Sequence, residues 1–546
     1  MMNINRCLVL LLGCLMFAFS KATAEETCPI IPQPLKADRQ KGFFVFDKGV
    51  RILGTQQLAN EIIKFRNILQ DKIDYQPSLK KNSKIIQLVL INGSLDEQAY
   101  QIQISTNIIT IRAICKEGLA NGLTSLAQLI INYKEGKVSK IPNWQITDEP
   151  RFAWRGFMLD ESRHFFGEQK VKQLLDWMAY YKLNKFHWHL TDEQGWRLAI
   201  EKYPKLTAIG GIGNHSNKTA AAKFYTQAEI KTIVAYAVER NIEVIPEIDM
   251  PGHATAANRA YPEYSGGGTK EHPEFTFNPG KDATYSYLTD ILKEVKSLFK
   301  SDKIHLGADE VSFGAKAWET NEEVKALMAK HQLNNILEVE NYFVKRMADS
   351  IFKLNAKVLA WDEVLSANLD KEKTILFWWR HDKPQILDQA LAKGYAVVIC
   401  PRLPLYLDFV QDESHKLGRK WSGKFNSILN VYQYPGNESF ASNSLVKGLQ
   451  ANLWTETIYN TERLDFMLFP RIAAVAEAGW TKQKNKNNDM FLNILKNELK
   501  LYKKQGIYYF DPFGDELPKK AENPNEKTKT DYVDPFTKET KLGRQN

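Results

Sequence analysis

The segment KIHLGADE ends in two adjacent carboxylic acids, Asp309 and Glu310, after an apolar run that includes Ile304 and Leu306. A carboxyl group in a partly desolvated place can give or take a proton during a reaction, so the two acids predict acid–base chemistry. Neighbouring side chains on a strand point to opposite faces. We therefore expect the two acids to divide the chemical work instead of acting as one facing pair.

Acids, histidines and tryptophans also collect at the ends of other strand-like runs. An aspartate after a strand commonly caps the next helix, which explains any one of these residues but not the whole set. Tryptophans beside acids favour a carbohydrate site over a plain core, because flat rings cover the apolar face of a sugar while carboxylates bind its hydroxyls. The residues are Asp160, His187, His189, Asp192, Glu247, Asp249, Asp309, Glu310, Trp361, Trp379, Trp454 and Glu456.

Eight strand candidates alternate with helical stretches after Pro150: FAWRGFMLD, KFHWHLTD, IEVIPEID, KIHLGADE, AKVLAWDE, TILFWWR, YAVVICP and GLQANLWTE. The intervening segments repeat apolar residues every three or four positions, as in EQKVKQLLDWMAYYKLN. This alternation predicts an α/β fold, a (β/α)₈ TIM barrel. An open doubly wound sheet is the alternative, but the first strand lacks its glycine-rich phosphate turn. We expect residues 407–447 to be a long irregular loop.

The 546 residues are long enough for a large barrel and an additional module. Residues 29–147 mix short strands with helical stretches near Gln57 to Gln70 and Gly118 to Tyr133, which predicts a small α+β domain before the barrel. The predicted segments are a signal peptide at 1–24, the α+β domain at 25–148, the barrel at 149–485, its C-terminal extension at 486–517 and a charged, flexible tail at 518–546.

The first residues are typical of a secretory signal peptide, because Arg6 precedes an apolar stretch from Leu8 to Phe19 and small residues end at Ala24. We expect cleavage near Ala24 and a secreted or periplasmic mature chain. A lipoprotein attached through Cys14 is less favoured, because the apolar stretch continues past that residue. No later segment is apolar for about 18 residues, so the mature chain is predicted to lack a transmembrane segment.

Charge and cysteine content exclude other classes. The formal net charge is +9, but lysines and arginines are scattered among acids, so no nucleic-acid surface is indicated. Cys28, Cys115 and Cys400 would remain after cleavage, and their spacing matches no zinc or redox motif. A bridge between Cys28 and Cys115 and three unbridged thiols are both open.

His187 and His189 in HWHLTD support a second hypothesis, a metal-dependent barrel hydrolase. Two residues apart on a strand, their side chains face the same way and could bind a metal. However, the pair lies on the second strand, no lysine ends the fourth strand, and the last strand ends in Glu456 instead of an aspartate. We favour no metal, and we interpret these histidines and His305 as hydrogen-bonded structural residues.

Five motifs occur in one order along the predicted strands: RGFMLDESRHF, HWHLTDEQGWR, PEIDMPGH, HLGADE and ANLWTE. They resemble the family 20 glycoside hydrolases, the β-N-acetylhexosaminidases, and residues 25–148 are similar to the small domain that commonly precedes the barrel there. The resemblance implies an exo-acting, retaining enzyme without a cofactor, acting on glycans or chito-oligosaccharides with terminal N-acetylhexosamine. A glycan-binding protein without activity would have lost an acid, whereas Asp309, Glu310 and Tyr406 are present.

The resemblance also implies roles in a mechanism whose nucleophile is the substrate's own 2-acetamido oxygen, which forms an oxazolinium ion. Glu310 would protonate the leaving oxygen and then deprotonate water. Asp309 would bind the acetamide N–H as a carboxylate, and Tyr406 would donate to the acetamide oxygen. Asp192 and His253 would form a hydrogen-bonded relay that orients the acid.

Around the sugar, the resemblance implies that Arg155 holds the 3- and 4-hydroxyls with its forked donors. Asp408 and Glu456 would accept from the 4- and 6-hydroxyls, and Glu247 and Asp249 would support the site from behind. The pocket walls would be three tryptophans, with Trp379 favoured over Trp378 because Arg380 follows it: Trp361, Trp379 and Trp454.

Overall fold

The structure, a computed structural model of the chain, describes residues 27–76, 83–413, 415, 419–420 and 423–514. The predicted signal peptide, its cleavage near Ala24, the lipoprotein alternative at Cys14 and the charged tail lie outside the described residues. The described chain forms a mixed sheet followed by a closed barrel. Within these ranges, no helix combines the length and apolar character that a membrane span requires.

The N-terminal domain is a sheet covered by two helices, as the predicted α+β module requires. Its elements are β1 Lys36–Phe46, β2 Arg51–Leu53, α1 Ala59–Ile73, β3 Ile85–Leu90, β4 Tyr100–Ile104, β5 Ile108–Ala113, α2 Lys116–Asn132, β6 Lys134–Glu135 and β7 Val138–Asp148. The strands pair in the order β1-β7-β4-β5-β3-β2, and β6 pairs with β7. Along β4, Tyr100, Ile102 and Ile104 are buried while the residues between them are not, so one face packs on the helices.

The remaining strands are β8 Trp154–Asp160, β9 Lys185–His189, β10 Glu243–Glu247, β11 Ser265–Gly267, β12 Thr276–Phe277, β13 Lys303–His305, β14 Lys357–Trp361, β15 Thr374–Trp378, β16 Ala396–Ile399 and β17 Val446–Leu453. β11 and β12 form a separate pair. The others close into a barrel in the order β10-β13-β14-β15-β16-β17-β8-β9. Each of them overlaps one of the predicted strand segments, and β17 starts two residues before its segment, so the (β/α)₈ prediction is confirmed.

Helices surround the barrel: α3 Glu168–Tyr180, α4 Lys205–Ala208, α5 Gln227–Val238, α6 Thr255–Ala260, α7 Asp282–Leu298, α8 Glu322–His331, α9 Ile336–Lys353, α10 Pro384–Ala392, α11 Arg402–Leu405, α12 Ile428–Gln433, α13 Ser439–Ser442, α14 Thr461–Leu468, α15 Arg471–Trp480 and α16 Asn488–Lys504. β14 and β15 are joined by a 3₁₀ helix, Asp362–Ala367. The segment expected to be irregular, 407–447, contains the short helices α12 and α13.

Apolar residues at helical spacing attach these helices to the strands. In α7, Leu288, Ile291 and Val295 are fully buried in the main core cluster. Residues three and four apart lie on one helix face, so this stripe packs on the barrel while the other face meets solvent. Local caps fix the helix starts. Thr226 and Glu229 form a capping box at the start of α5.

A buried polar cluster joins the two domains at the amino-terminal end of the barrel. The Lys182 ammonium donates to the Tyr100 hydroxyl at 2.9 Å and lies 3.5 Å from the Asp148 carboxylate. Trp480 Nε1 donates to Asp148 at 2.9 Å, and the Lys182 ammonium lies 4.5 Å from the centre of the Trp480 ring. Burial lowers the pKa of Lys182 to about 8. The cluster therefore fixes the sheet domain against the amino-terminal end of the barrel.

The cysteines form no disulfide within the described residues. The Cys115 thiol donates to the carbonyl oxygen of Glu97 at 2.6 Å, and Cys400 is fully buried in the barrel. The alternative of a bridge between Cys28 and Cys115 is therefore wrong.

Candidate active site

A pocket opens at the carboxyl-terminal end of the barrel. The carboxyl ends of parallel strands meet at one mouth, so residues far apart in the sequence come together there. The pocket contains acids, arginines and aromatic rings in contact with one another. Its lining residues are Arg163, Asp309, Glu310, Trp361, Trp379, Arg402, Tyr406, Phe409, Arg419, Trp454 and Glu456.

The two adjacent acids stand on a loop, because β13 ends at His305. Gly307, Ala308 and Glu310 have φ angles of 65°, 65° and 53°, so the chain turns through the left-handed region. The alternation of side chains along a strand does not apply to such a backbone. Both acids line the same pocket, and the expectation that they diverge as strand neighbours is wrong.

Asp249 holds this loop from behind. Its Oδ1 accepts a hydrogen bond from the Ala308 backbone N–H at 3.1 Å. A Cβ atom on Gly307 would lie 1.9 Å from the same oxygen, so only glycine fits at that position. The loop that carries the acids is therefore fixed to the end of β10, in keeping with the supporting place predicted for Asp249.

Burial dominates the electrostatics of the acid pair. Burial raises the pKa of Glu310, and the positive charge of His253 opposes this shift. Burial also raises the pKa of Asp309 well above its ordinary value, and the neighbouring carboxylate of Asp249 adds to the effect. The ionised Glu310 beside it also raises the pKa of Asp309, so the two adjacent acids influence each other's protonation.

Asp192 and His253 form the hydrogen-bonded link that the sequence predicted. His253 Nδ1 lies 3.0 Å from Asp192 Oδ1. His253 Nε2 lies 3.7 Å from Glu310 and 3.8 Å from Asp309. Arg163 Nη1 lies 2.7 Å from Asp192 Oδ2. Although burial opposes its charge, His253 has a pKa well above its ordinary value because Asp192 and Asp249 are close.

The histidines of HWHLTD face the barrel interior, where both contact Glu247. His187 Nε2 and His189 Nδ1 lie 3.0 and 2.5 Å from Glu247 Oε2. Gln450 donates to His187 Nδ1 at 2.9 Å, and His189 Nε2 bonds to Asp192 at 2.8 Å. His187, Glu247 and His305 lie within ligating reach of one another. Both nitrogens of His189 and Nδ1 of His187 have hydrogen-bonding neighbours, which fits structural histidines, whereas Nε2 of His187 and of His305 form no hydrogen bond among the described residues.

Aromatic rings form the walls of the pocket. The Trp379 and Tyr406 rings are stacked with centroids 6.5 Å apart, and Trp454 lies 6.3 Å from Tyr406 and 6.0 Å from Trp361. Trp379 Nε1 donates to Glu363 at 3.0 Å. Trp378 instead packs in the outer core between strands and helices. The choice of Trp379 over Trp378 as a pocket residue therefore agrees with the structure.

Asp408 and Glu456 meet at the charged side of the pocket, where Arg419 lies between them. Arg419 Nη2 is 2.7 Å from Glu456 and Nη1 is 3.4 Å from Asp408. Burial opposes the charge of Glu456, but Arg419 and Arg163 lower its pKa to about 2. Burial raises the pKa of Asp408 to about 7; Arg419 opposes this shift and the Glu456 carboxylate adds to it. Asp408 Oδ1 and Glu456 Oε2 have no hydrogen-bond partner among the residues that the structure describes.

Arg155 does not reach this pocket, so its predicted role at the sugar hydroxyls is wrong. It stands near the start of β8, at the opposite end of the barrel. Its guanidinium donates to the carbonyls of Lys182 at 2.8 Å and Phe152 at 2.9 Å, and to Gln98 Oε1 at 2.7 Å. It also lies 4.8 Å from the Trp480 ring centre. Arg155 is part of the interdomain cluster.

Sequence reasoning missed three arginines of the pocket, Arg163, Arg402 and Arg419. Arg163 follows Asp160, the last residue of β8, so its place in the chain already indicated the mouth of the barrel. Arg402 stacks over Trp379 with 4.2 Å between the guanidinium carbon and the ring centre. Arg402 follows Ile399, the last residue of β16, so its place in the chain gave the same signal, whereas Arg419 comes from the segment 407–447, where no periodicity could place it.

Comparisons with known families match almost the whole described chain. The family model described as "Glycosyl hydrolase family 20, catalytic domain" matches residues 152–483, and the model for domain 2 of that family matches residues 27–149. A beta-hexosaminidase of Vibrio furnissii is 32% identical over 483 residues, which are 84% of this chain and 77% of that protein. A beta-hexosaminidase of Porphyromonas gingivalis is 31% identical over 508 residues, which are 88% of this chain and 64% of that protein.

Solved structures agree with the sequence comparisons. A GH20 exo beta-N-acetylglucosaminidase from Vibrio harveyi, in complex with N-acetylglucosamine, superposes with a TM-score of 0.82 at 32% identity, covering 90% of this chain and 80% of that chain. A beta-N-acetylhexosaminidase from Bacteroides fragilis superposes with a TM-score of 0.75 at 29% identity, covering 88% and 96%.

Proposed function

The chain belongs to glycosyl hydrolase family 20, and on this premise we propose that it is an exo-acting, retaining β-N-acetylhexosaminidase. It removes terminal, non-reducing, β-linked N-acetylglucosamine or N-acetylgalactosamine from glycans. The observation that carries the proposal is the Asp309–Glu310 pair on one loop of a pocket walled by tryptophans. Adjacent acids suit a reaction in which one handles the leaving group and the other handles a nucleophile that belongs to the substrate.

The reaction is substrate-assisted, as is typical of the family. The oxygen of the 2-acetamido group attacks C1 while the bond between C1 and the leaving oxygen breaks, which gives an oxazolinium ion. Water then attacks C1 from the vacated side and opens the ring. Two inversions at C1 retain the β configuration.

Glu310 carries the proton in both steps. It gives its proton to the leaving oxygen, and the resulting carboxylate takes a proton from the attacking water. Burial raises the pKa of Glu310, which keeps the acid protonated closer to neutral pH than an exposed glutamate. His253 lies 3.7 Å from it and links it to Asp192, so the relay orients the acid.

Asp309 serves the acetamide nitrogen. As a carboxylate it accepts the N–H and stabilises the positive charge that spreads onto nitrogen. Burial raises the pKa of Asp309, but a cation forming beside it favours the ionised form, so its stabilisation is greatest where the reaction needs it. Tyr406 donates its hydroxyl to the acetamide oxygen, and Trp361, Trp379 and Trp454 enclose the methyl group and the ring.

Arg163 takes the hydroxyl-binding role predicted for Arg155. It lines the pocket and is fixed by its contact with Asp192 at 2.7 Å, so its remaining donors can hold the 3- and 4-hydroxyls. Glu456 and Asp408 accept from the 4- and 6-hydroxyls through oxygens that have no other partner in the described chain. A metal-dependent hydrolase using His187 and His189 and an inactive glycan-binding protein are not favoured by the family relationship.

We also propose that the enzyme acts outside the cytoplasm, after cleavage near Ala24. The support is the pattern of Arg6, the apolar stretch from Leu8 to Phe19 and the small residues before Glu25. Expression in a Gram-negative host should give mature protein in the periplasm or medium, and N-terminal sequencing should start at Glu25. A product that starts at Cys14 and carries lipid would support the lipoprotein alternative instead.

The function is tested with 4-nitrophenyl β-glycosides of N-acetylglucosamine, N-acetylgalactosamine and glucose. We expect turnover of the N-acetyl sugars, almost none of the glucoside because it lacks the nucleophile, and no change after incubation with a chelator. Equal cleavage of the glucoside would contradict substrate assistance. Loss of activity with the chelator, restored by a divalent metal, would favour the metal alternative.

Replacement of Glu310 should expose its role as an acid through the leaving group. We expect Glu310→Gln to lower kcat by about a hundredfold or more for chitobiose. The loss should be far smaller for the dinitrophenyl β-glycoside of N-acetylglucosamine, because its leaving oxygen needs no proton. Asp309→Asn is the matched control, because it should slow both substrates alike. Equal losses for both substrates in Glu310→Gln would contradict the assignment.

The two arginines of the RGFMLDESRHF motif should separate stability from binding. Arg155→Met leaves buried acceptors unpaired, so we expect a lower midpoint of thermal unfolding and an unchanged KM. Arg163→Met should raise KM for the N-acetylglucosaminide because a hydroxyl contact is lost. A raised KM in Arg155→Met with unchanged thermal stability would show that Arg155 reaches the sugar after all.

A further inference from the structure

Glu247 is a fully buried carboxylate at the end of β10, outside the set of pocket-lining residues. Its two oxygens bond to different groups. Oε2 accepts from His189 Nδ1 at 2.5 Å, and Oε1 accepts from the indole Nε1 of Trp361 at 2.9 Å. A carboxylate with two acceptor oxygens can orient two donors at once. These two donors belong to different halves of the active site.

The first branch leads to the acid. The other ring nitrogen of His189, Nε2, forms a hydrogen bond with Asp192 at 2.8 Å. Asp192 bonds to His253 at 3.0 Å, and His253 lies 3.7 Å from Glu310. His189, Asp192 and His253 are each less than a tenth exposed, so water does not replace their hydrogen bonds. The position of His189 therefore affects the relay that orients the acid.

The second branch leads to the wall of the acetamide pocket. Trp361 is almost fully buried and is one of the residues that line the pocket. Its indole N–H is its one strong polar group, and the bond to Glu247 fixes the rotation of the ring. Trp454 lies 6.0 Å from Trp361 and 4.9 Å from His189, so the two branches also touch through this ring.

Charge holds Glu247 in place. Burial disfavours its ionised form, yet His189 above all, with His305 and His187, keeps its pKa well below the ordinary value. His189 lies between two carboxylates, which raise its pKa well above the ordinary value against the effect of burial. The groups that face Glu247 are His187 and His189 from β9, His305 from β13, Trp361 from β14 and the nearby Asp249.

We propose that Glu247 is a positioning residue that couples the acid–base relay to the acetamide wall, so that one buried carboxylate sets both proton delivery and the fit of the acyl group. The inference rests on the proposed function and deepens it. Proton delivery is read from the pH dependence of kcat/KM. Acyl fit is read from the ratio of kcat/KM between N-acetyl and N-propionyl glucosaminides. A purely structural residue would change neither reading.

The test compares Glu247→Gln with Glu243→Gln in the full chain. The amide keeps the size of the side chain but cannot accept from both His189 and Trp361. We expect the alkaline side of the pH profile of kcat/KM to shift to lower pH. The reason is that the Glu247 carboxylate raises the pKa of His189, so without this charge His189 loses its proton at a lower pH. We also expect the preference for N-acetyl over N-propionyl to change by about threefold or more.

Glu243→Gln is the matched control because Glu243 lies on the same strand and its replacement also removes partly buried charge contacts. Glu243 bonds to Lys185 at 2.6 Å, Ser301 at 2.6 Å and Lys303 at 3.0 Å. We expect it to lower thermal stability while both readings stay at the wild-type values. If Glu247→Gln behaves like Glu243→Gln, the proposal is overturned.

A double-mutant cycle makes the test independent of the folding of Glu247→Gln. His189→Gln alone should shift the pH dependence, and Trp361→Phe alone should change the acyl preference. If Glu247 couples them, the combined variant departs from the product of the single effects on kcat/KM by about threefold or more. Independent effects would overturn the inference. A wild-type chain without glycosidase activity would instead overturn the proposed function, so the two failures are distinguishable.

Discussion

Buried charge that must be compensated governs the carboxyl-terminal end of this barrel. A carboxylate removed from water is costly unless opposite charges and hydrogen-bond donors surround it. Glu247, Asp192 and Asp249 are all nearly inaccessible to solvent, and His189, His253 and Arg163 lie among them. The rigidity of the site follows, because any rotation of one member would leave another without a partner. The aromatic walls add to this by keeping water out.

The same need produces a different result at the other end of the barrel. There Lys182, Asp148 and Arg155 are buried between the barrel and the sheet domain, with Trp480 against both cations. Lys182 bonds to Tyr100 and Asp148, and Arg155 bonds to backbone carbonyls and to Gln98, so these charges hold the two domains together. Buried charge therefore has different roles at the two ends of the barrel. Charge at the start of a strand joins domains, and charge after its end performs chemistry.

The fold could be predicted from the sequence because periodicity and strand-end composition recur around the whole barrel. Each predicted strand segment contributes one strand to the closed sheet, and the α+β domain has the predicted helices. The prediction that Asp309 and Glu310 point to opposite faces was wrong because it assumed regular strand geometry. The loop from Gly307 to Glu310 uses positive φ angles, which bring Asp309 and Glu310 into one pocket. No local pattern in HLGADE distinguishes that loop from a continued strand.

The sequence by itself determined the family, the barrel and the identity of the acid pair, because these depend on motif order and on side-chain chemistry. Only the tertiary structure decided which arginine faces the pocket, since Arg155 and Arg163 share one motif but lie at opposite ends of β8. It also decided that Arg419 joins the site from the irregular segment 407–447. The positions of these arginines depend on the paths of loops and on the pairing of charges from distant elements. Neither produces a periodic pattern of residues in the sequence.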